Sequence, residues 1–487
     1  MLNKIIRFLL LVYCLLCCLL FMTGVMYLFA QSLYGNFTIR QFVFHFAVIS
    51  TMDISLKLII FVLLAPLLLG FMILFALKKP LLWLRHYVAK DTLDKIQKHD
   101  NWLSFITSTL SVAIIVGTIS AFSYPLPQIF KQAKFSIETL YSSKQYDTII
   151  EDNFANPAQI QFTAKHPKNL IVIFTESMEQ TFADSNLLKD NLLSNLMQQN
   201  GTSILGQTEL SETSWTYAGM VATLCGITDK VYIPPRGLSE NIVCISDVLQ
   251  QNGYNLHFIK GTPLKFSGTG YFLQNHSFEN VYGIDELPQL SDENIYEIKF
   301  IGRTLEDSVM LDIFKKQIKQ LAEQPAPFMA VALTANTHPY HGHTEKQCSH
   351  KYNDMRDSIS CVDSILASFA EWFQKQDFAA DTTLVILGDH LMMFNDIQKY
   401  LDKSPKREIF NMVWGYAAPQ ENTKRQFNQF DWAPTLLEMA GFEWNGHKFG
   451  LGTSLLSGES TMQEIYKDEL NSRLIKNSKL YEEKLVE

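Results

Sequence analysis

The sequence predicts an α/β domain built on a central, mostly parallel sheet flanked by helices, carried behind about three transmembrane helices. Three observations predict it. Three long runs without charge lie in the first 124 residues. Beyond residue 166, short apolar runs of strand length alternate with helical stretches. Three of those apolar runs end abruptly on reactive residues, as strands do when a site forms beyond their carboxyl ends.

The membrane part comes first. Residues 8–30, 58–77 and 102–122 carry no charged side chain. Each can cross a hydrocarbon core of about 30 Å at 1.5 Å rise per residue. A removable signal peptide fits the first run poorly, because the run is long and two more follow. Lys4 and Arg7 precede the first run, and Lys78, Lys79, Arg85, Lys90, Lys95 and Lys98 separate the second from the third. Only Arg40 and Lys57 lie between the first and the second. Positive charge marks the cytoplasmic side, so everything after residue 124 is expected outside the inner membrane. The expected organisation is a membrane domain over 1–124, a polar connector over 125–165, a catalytic domain over 166–461 and a charged helical tail over 462–487.

The soluble part has four cysteines, Cys225, Cys244, Cys348 and Cys361. An even number in an oxidising compartment predicts disulfides, and three pairings exist. The pairing of sequence neighbours, Cys225 with Cys244 and Cys348 with Cys361, is preferred. "NLIVIF", "YNLHFIK", "FMAVALT", "TTLVILGDH" and "EIFNMVWGYA" read as strands, with a further one within 204–210. Asp307 to Glu323 and Ser358 to Gln374 read as helices between them. The net charge of -8 and the lack of a dense basic face exclude a nucleic-acid partner.

Glu176 follows the first strand, and Asp389 and His390 follow "LVIL". Two carboxylates and an imidazole suit a divalent cation such as Mn²⁺, Zn²⁺ or Mg²⁺. Thr216 precedes an apolar, small-residue helix. Local pattern favours an N-cap there. A hydroxyl at a helix N-terminus beside a metal is also a nucleophile site for phosphoryl chemistry. His338, before a proline, reads locally as a loop histidine. His341 and His343 read as solvated loop histidines in preference to a second cation site.

Together these blocks resemble a known family. "NLIVIFTESMEQTF", "WTYAGMVATLCGI", "NGYNLHFIKGTPLKFSGTGYFLQNHSFENVYG", "TANTHPY", "LVILGDHLMMFN" and "FDWAPTLLEMAGF" resemble the alkaline-phosphatase/sulfatase superfamily. Within it the chain is similar to the membrane-anchored phosphoglycerol transferases, which include glucan-modifying enzymes and lipoteichoic acid synthases. The blocks keep the family order over about 170–455. The resemblance implies one divalent metal, Mn²⁺ favoured, held by Glu176, Thr216, Asp389 and His390. It implies Thr216 as nucleophile, His338 at the transferred phosphate or the leaving oxygen, and Lys265 as a contact for the donor head group. Lipoteichoic acid synthases carry a tryptophan and an arginine where this chain has Ser267 and Thr269, which argues against that polymerase activity.

The function this implies is transfer of phosphoglycerol from phosphatidylglycerol to a glycan or glycolipid acceptor, releasing diacylglycerol. The covalent intermediate would be of the phosphothreonine type. The expected location is the bacterial inner membrane, multi-pass, with a periplasmic catalytic domain. A phosphoethanolamine transferase acting on lipid A or a core sugar shares the same chemistry. A non-catalytic membrane sensor is the alternative of another class, and metal binding distinguishes it. A formylglycine sulfatase needs a Cys or Ser in a C/S-x-P-x-R motif, and none of the four external cysteines begins one, which argues against that activity.

Overall fold

The computed structural model describes residues 145–485, apart from 229–231, 234–236, 240, 291–297, 301, 394 and 417–423. The three expected spans lie outside the described residues. Among the described residues, no helix is long and apolar enough to cross a membrane.

Six strands form the central sheet: β1 Asn169–Thr175, β2 Asn255–Lys260, β3 Asn280–Tyr282, β4 Phe328–Leu333, β5 Thr382–Gly388 and β6 Asn411–Trp414. Their order across the sheet is β6-β5-β1-β4-β2-β3. β6 runs antiparallel to β5, and every other pairing is parallel. The sheet is therefore mixed, with one antiparallel edge.

Side-chain alternation explains why the inner strands are apolar throughout. Leu170, Val172 and Phe174 of β1 face one core; Ile171 and Ile173 face the other. The first core is closed by α1 Thr216–Cys225, α2 Ile245–Gln251, α3 Thr269–Asn275 and, later in the chain, Trp432–Met439. The second is closed by α4 Asp307–Ala322 and α5 Met355–Gln374. In α4 the buried Met310, Phe314, Ile318 and Leu321 recur at helical spacing, which turns one face to the sheet. Asp354 caps α5 by accepting the amide of Arg356.

Two details depart from the sequence expectation. Within 204–210 only Leu205–Gln207 is a strand, and it pairs with Lys424–Phe427 outside the main sheet. The cause is Asn411 of β6. Its side-chain amide donates to Ile204 O at 2.8 Å and accepts from Ile204 N at 2.8 Å, so a side chain takes the place of a ladder. β3 was not legible, because a three-residue edge strand that starts on Asn280 has no apolar run.

The parallel register aligns the strand ends. Thr175 lies opposite Gly388, Phe174 opposite Leu333, and Leu333 opposite Lys260. The chain therefore leaves β1, β2, β4 and β5 along one edge of the sheet, and the loops that follow meet there.

Residues 145–153 and the C-terminal segment close on each other. Ile149 and Ile150 are buried with Leu470, Leu474 and Tyr481 in the first core. Arg473 donates to Asp147 at 2.6 Å and Lys476 reaches the same carboxylate at 3.1 Å. The Arg473 hydrogen bonds hold the Asp147 carboxyl at about 2, below the ordinary 3.8. A depressed carboxyl stabilises the fold above its unfolded value and loses that share as pH falls through the folded one. Asp147→Asn is thus expected to cost about 1 kcal/mol at neutral pH, the scale of a well-formed surface pair. Thermal melts should show the gap between variant and parent closing from about pH 4 to pH 2.

Candidate active site

Four elements deliver the site. β1 ends into Glu176 and Ser177, β5 into Asp389 and His390, β4 into 334–338, and α1 begins with Thr216. The potential ligand atoms of Glu176, Asp389 and His390 lie within 4.8 Å of one another, and all three residues are buried. His390 Nε2 is 3.5 Å from Glu176 Oε1 and 3.5 Å from Asp389 Oδ2. Thr216 Oγ1 is 3.3 Å from Glu176 Oε2 and 3.4 Å from His390 Nε2. The cap position of α1 belongs to Trp215, which makes no side-chain capping bond. Thr216 is the first helical residue, with its hydroxyl turned to the acid–imidazole cluster.

The backbone sets these side chains precisely. Ser177 adopts a positive φ of 53°. From there its amide donates to Asp389 Oδ1 at 2.8 Å and its hydroxyl donates to Glu176 Oε1 at 2.6 Å. His390 Nδ1 faces Leu391 O at 2.8 Å. A proton on Nδ1 satisfies that carbonyl and leaves the Nε2 lone pair facing the carboxylates.

The cluster fits a divalent cation. Asp389 Oδ2 is buried with no hydrogen-bond partner among the described residues. Burial pushes the Asp389 carboxyl up, and the Glu176 charge adds to the push. Burial opposes charge on His390, yet Asp389 and Glu176 outweigh it and raise the imidazole to about 8. Sealed together, Asp389 and His390 hold their protons more tightly than they would in water. A dication relieves the same strain by replacing those protons. Glu176, Asp389 and His390 are grouped so that they could hold one, and the Thr216 hydroxyl lies beside them.

A second grouping, Cys244, Asp247 and His276, has a different purpose. Cys244 is joined to Cys225 in a disulfide, so it offers no thiolate. Asp247 instead accepts the Cys244 amide at 2.8 Å and the Ser277 hydroxyl at 2.7 Å, tying the start of α2 to the end of α3. The other disulfide joins Cys348 to Cys361, so both bonds link sequence neighbours.

Several supports were not visible in the sequence. Glu209 accepts the Leu391 amide at 2.6 Å, and Leu391 is the residue whose carbonyl orients His390. Arg407 pairs with the buried Glu179 at 2.5 Å and donates to Met392 O at 2.7 Å. Gln429 donates to Asp389 O at 3.4 Å and accepts from Thr213 at 2.9 Å. Of these, Glu209, Arg407 and Gln429 sit in no motif and at no strand end. Only their contacts reveal them.

α1 lies directly on the Asp389 backbone. A Cβ added at Gly219 would stand 2.0 Å from Asp389 O. Gly219→Ala is therefore expected to cost about 3 kcal/mol through overpacking and to push Asp389 and the helix apart. A lowered Tm together with weakened cation binding would show both effects.

Thr337 donates to Glu176 O at 2.5 Å, which ties the next loop to the cluster. His338 follows, half-buried, with Nδ1 2.7 Å from Pro339 O and its ring beside Phe266 at 6.3 Å between centroids. Asp307 holds this loop from below by accepting the amides of Ala335 and Asn336 at 2.8 and 2.9 Å. Lys265 is half-buried in the loop that carries Phe266. His341 pairs with Asp396 at 2.8 Å and His343 with Glu306 at 2.9 Å, so both are spoken for away from the cluster.

A family model described as Sulfatase matches residues 168–442, more than half of the chain. The chain belongs to the sulfatase family. This sulfatase-family chain is 31% identical over 378 residues to a protein named phosphoglycerol transferase I from Escherichia coli O6:K15:H31. The match covers 74% of the chain and 47% of that relative, so the chain spans about half the length of the curated relatives it matches. Among solved structures, an alkaline phosphatase superfamily protein from Vibrio parahaemolyticus aligns at 18% identity and TM-score 0.49, covering 69% of this chain and 80% of that one. The lipoteichoic acid synthase LtaP from Listeria monocytogenes aligns at 17% identity and TM-score 0.47, covering 61% of this chain and 79% of that one.

Proposed function

We propose that this sulfatase-family chain transfers a phosphoglycerol group from phosphatidylglycerol to a glycan or glycolipid acceptor of the cell envelope. The observation that carries the reading is the Thr216 hydroxyl at the start of α1, within 3.3 Å of Glu176 and 3.4 Å of His390. The name of its relatives, phosphoglycerol transferase I, supports the choice of transferred group. The charge-free runs over 8–30, 58–77 and 102–122 support anchoring beside a donor that cannot leave the bilayer.

Glu176, Asp389, His390 and Thr216 hold one divalent cation in this reading, with Mn²⁺ preferred over Zn²⁺ and Mg²⁺. When bound it lowers the pKa of the Thr216 hydroxyl and offsets the charge that builds on the phosphoryl oxygens. The chain supplies the rest. Thr216 Oγ attacks phosphorus; the Oγ–P bond forms as the bond from phosphorus to the diacylglycerol oxygen breaks. His338 gives the leaving oxygen its proton and takes one back from the acceptor hydroxyl in the second displacement. The N-terminus of α1 receives the phosphoryl oxygens. An acceptor hydroxyl then displaces Thr216, and the two-step course is that of nucleophilic catalysis. Lys265 contacts the glycerol head group.

Mass spectrometry tests this directly. Purified protein in detergent is mixed with phosphatidylglycerol and Mn²⁺, with and without chelator, and the peptide containing Thr216 is weighed. A metal-dependent phosphoglycerol adduct on Thr216 is expected. An adduct formed only from phosphatidylethanolamine assigns the chain to the phosphoethanolamine transferases instead. No adduct and no lipid turnover with either donor would overturn the catalytic reading and favour the sensor.

A further inference from the structure

Lys260 ends β2, one strand away from the loop that carries His338, and only 1% of its surface is exposed. A lysine so deep needs a reason. Among the described residues, no carboxylate is one of its hydrogen-bond acceptors. Nζ donates to Phe266 O at 2.8 Å and to Thr269 Oγ1 at 2.8 Å. Both acceptors are neutral, so the two bonds survive in the ammonium and in the amine alike. Burial lowers this group to about 7, which makes the neutral form accessible without loss of either bond.

The segment it grips has an unusual path. Ser267 and Gly268 sit at φ values of 58° and 70°, within the short 3-10 segment Phe266–Gly268 that leads straight into α3. A serine at positive φ is disfavoured and needs outside support. Lys260 provides it from within by bonding on either side of the two residues. The same segment touches both halves of the site. The Phe266 ring meets the His338 ring at 6.3 Å and 61°, and Phe272 of α3 meets Tyr217, the neighbour of Thr216, at 5.7 Å.

Resting on the transfer reading above, we propose that Lys260 is a positioning residue: through Phe266 and Thr269 it locks the 266–269 loop against His338 and so fixes where the proton donor stands. It touches neither substrate nor cation. Its length is the point, because a stem of four methylenes carries donors from the strand end to the loop while filling apolar space.

The test uses the full chain in detergent. Lys260→Met keeps the stem and removes the donors; Lys260→Gln keeps a neutral donor. Hydrogen exchange of the peptide over 263–275 reads the loop, and turnover of phosphatidylglycerol reads the consequence. In Lys260→Met the amides of Gly268 and Gly270 should exchange at least about tenfold faster, while the peptides of β1 and α1 stay as in the parent. Turnover should fall about 10- to 100-fold in kcat with KM little changed, as for a displaced catalytic group. Lys260→Gln should recover part of both. In a His338→Ala background Lys260→Met should have little further effect, since both act on one group. Unchanged exchange in the loop overturns the proposal. So does faster exchange with undiminished kcat, or a loss that simply multiplies with that of His338→Ala. If the parent chain itself turns over no lipid, the transfer reading fails, and the exchange result alone decides whether Lys260 holds the loop.

Discussion

Thr216→Ala should reduce lipid turnover by about 10³-fold or more, the scale on which covalent catalysts lose rate when the nucleophile is deleted. The fold should survive. Thr216 is half-buried at the first position of α1, and the apolar packing of that helix comes from Tyr217 to Cys225. Thermal melts of the variant should therefore stay within about 1 kcal/mol of the parent. Thr216→Ser keeps a hydroxyl and should retain measurable turnover. If Thr216→Ala turns over lipid at the parental rate, Thr216 is not the nucleophile.

Asp389→Asn should have the second largest effect, and its sign depends on the cation. Asp389 is fully buried, and its Oδ1 accepts the amides of Ser177 and His390 at 2.8 and 2.9 Å. An asparagine oxygen can keep those two bonds. What changes is the charge on the partnerless Oδ2. With Mn²⁺ present the variant should lose about 100-fold or more in activity, a loss partly offset by raising the metal concentration. With chelator the order of stability should reverse. The parent then keeps two buried carboxylates without a cation, whereas the variant has lost one of them, so its melting point should equal or exceed the parent's. A cation at 100 times its Kd stabilises the native state by about 2.7 kcal/mol. The parent should lose that amount on chelation and Asp389→Asn should lose little. Equal responses to chelator would remove Asp389 from the ligand set.

These two residues show what a sequence can reveal. Glu176 and Asp389-His390 stand out because an apolar strand must stop before a charge, and parallel strands stop along one edge. The strand runs and long helices were legible for the same reason, since periodicity records which faces are buried. The order of the strands is not periodic. That β1 lies between β4 and β5 had to be seen, and it is why Glu176 meets Asp389. The short strand β3 and the pairing of 205–207 were hidden because neither has an apolar run. Glu209, Arg407 and Gln429 were hidden for another reason. Each acts by one or two hydrogen bonds to backbone atoms distant in sequence, and a lone polar residue in a loop carries no mark of such a partner. Lys260 lies between these cases: a lysine closing an apolar strand is visible, but its acceptors are carbonyl and hydroxyl oxygens that no motif announces.

The pairing of Asp147 with Arg473, 326 residues apart, needs both ends of the described domain to be present. Ile149 and Ile150 leave the ribosome early and find their apolar neighbours Leu470 and Leu474 only after nearly all the catalytic domain has been made. Until then the segment is a waiting half of a joint. A chain cut before residue 470 lacks Leu470 and Leu474 and leaves that apolar face uncovered. This joint can close only once the polypeptide between its two sides has been synthesised.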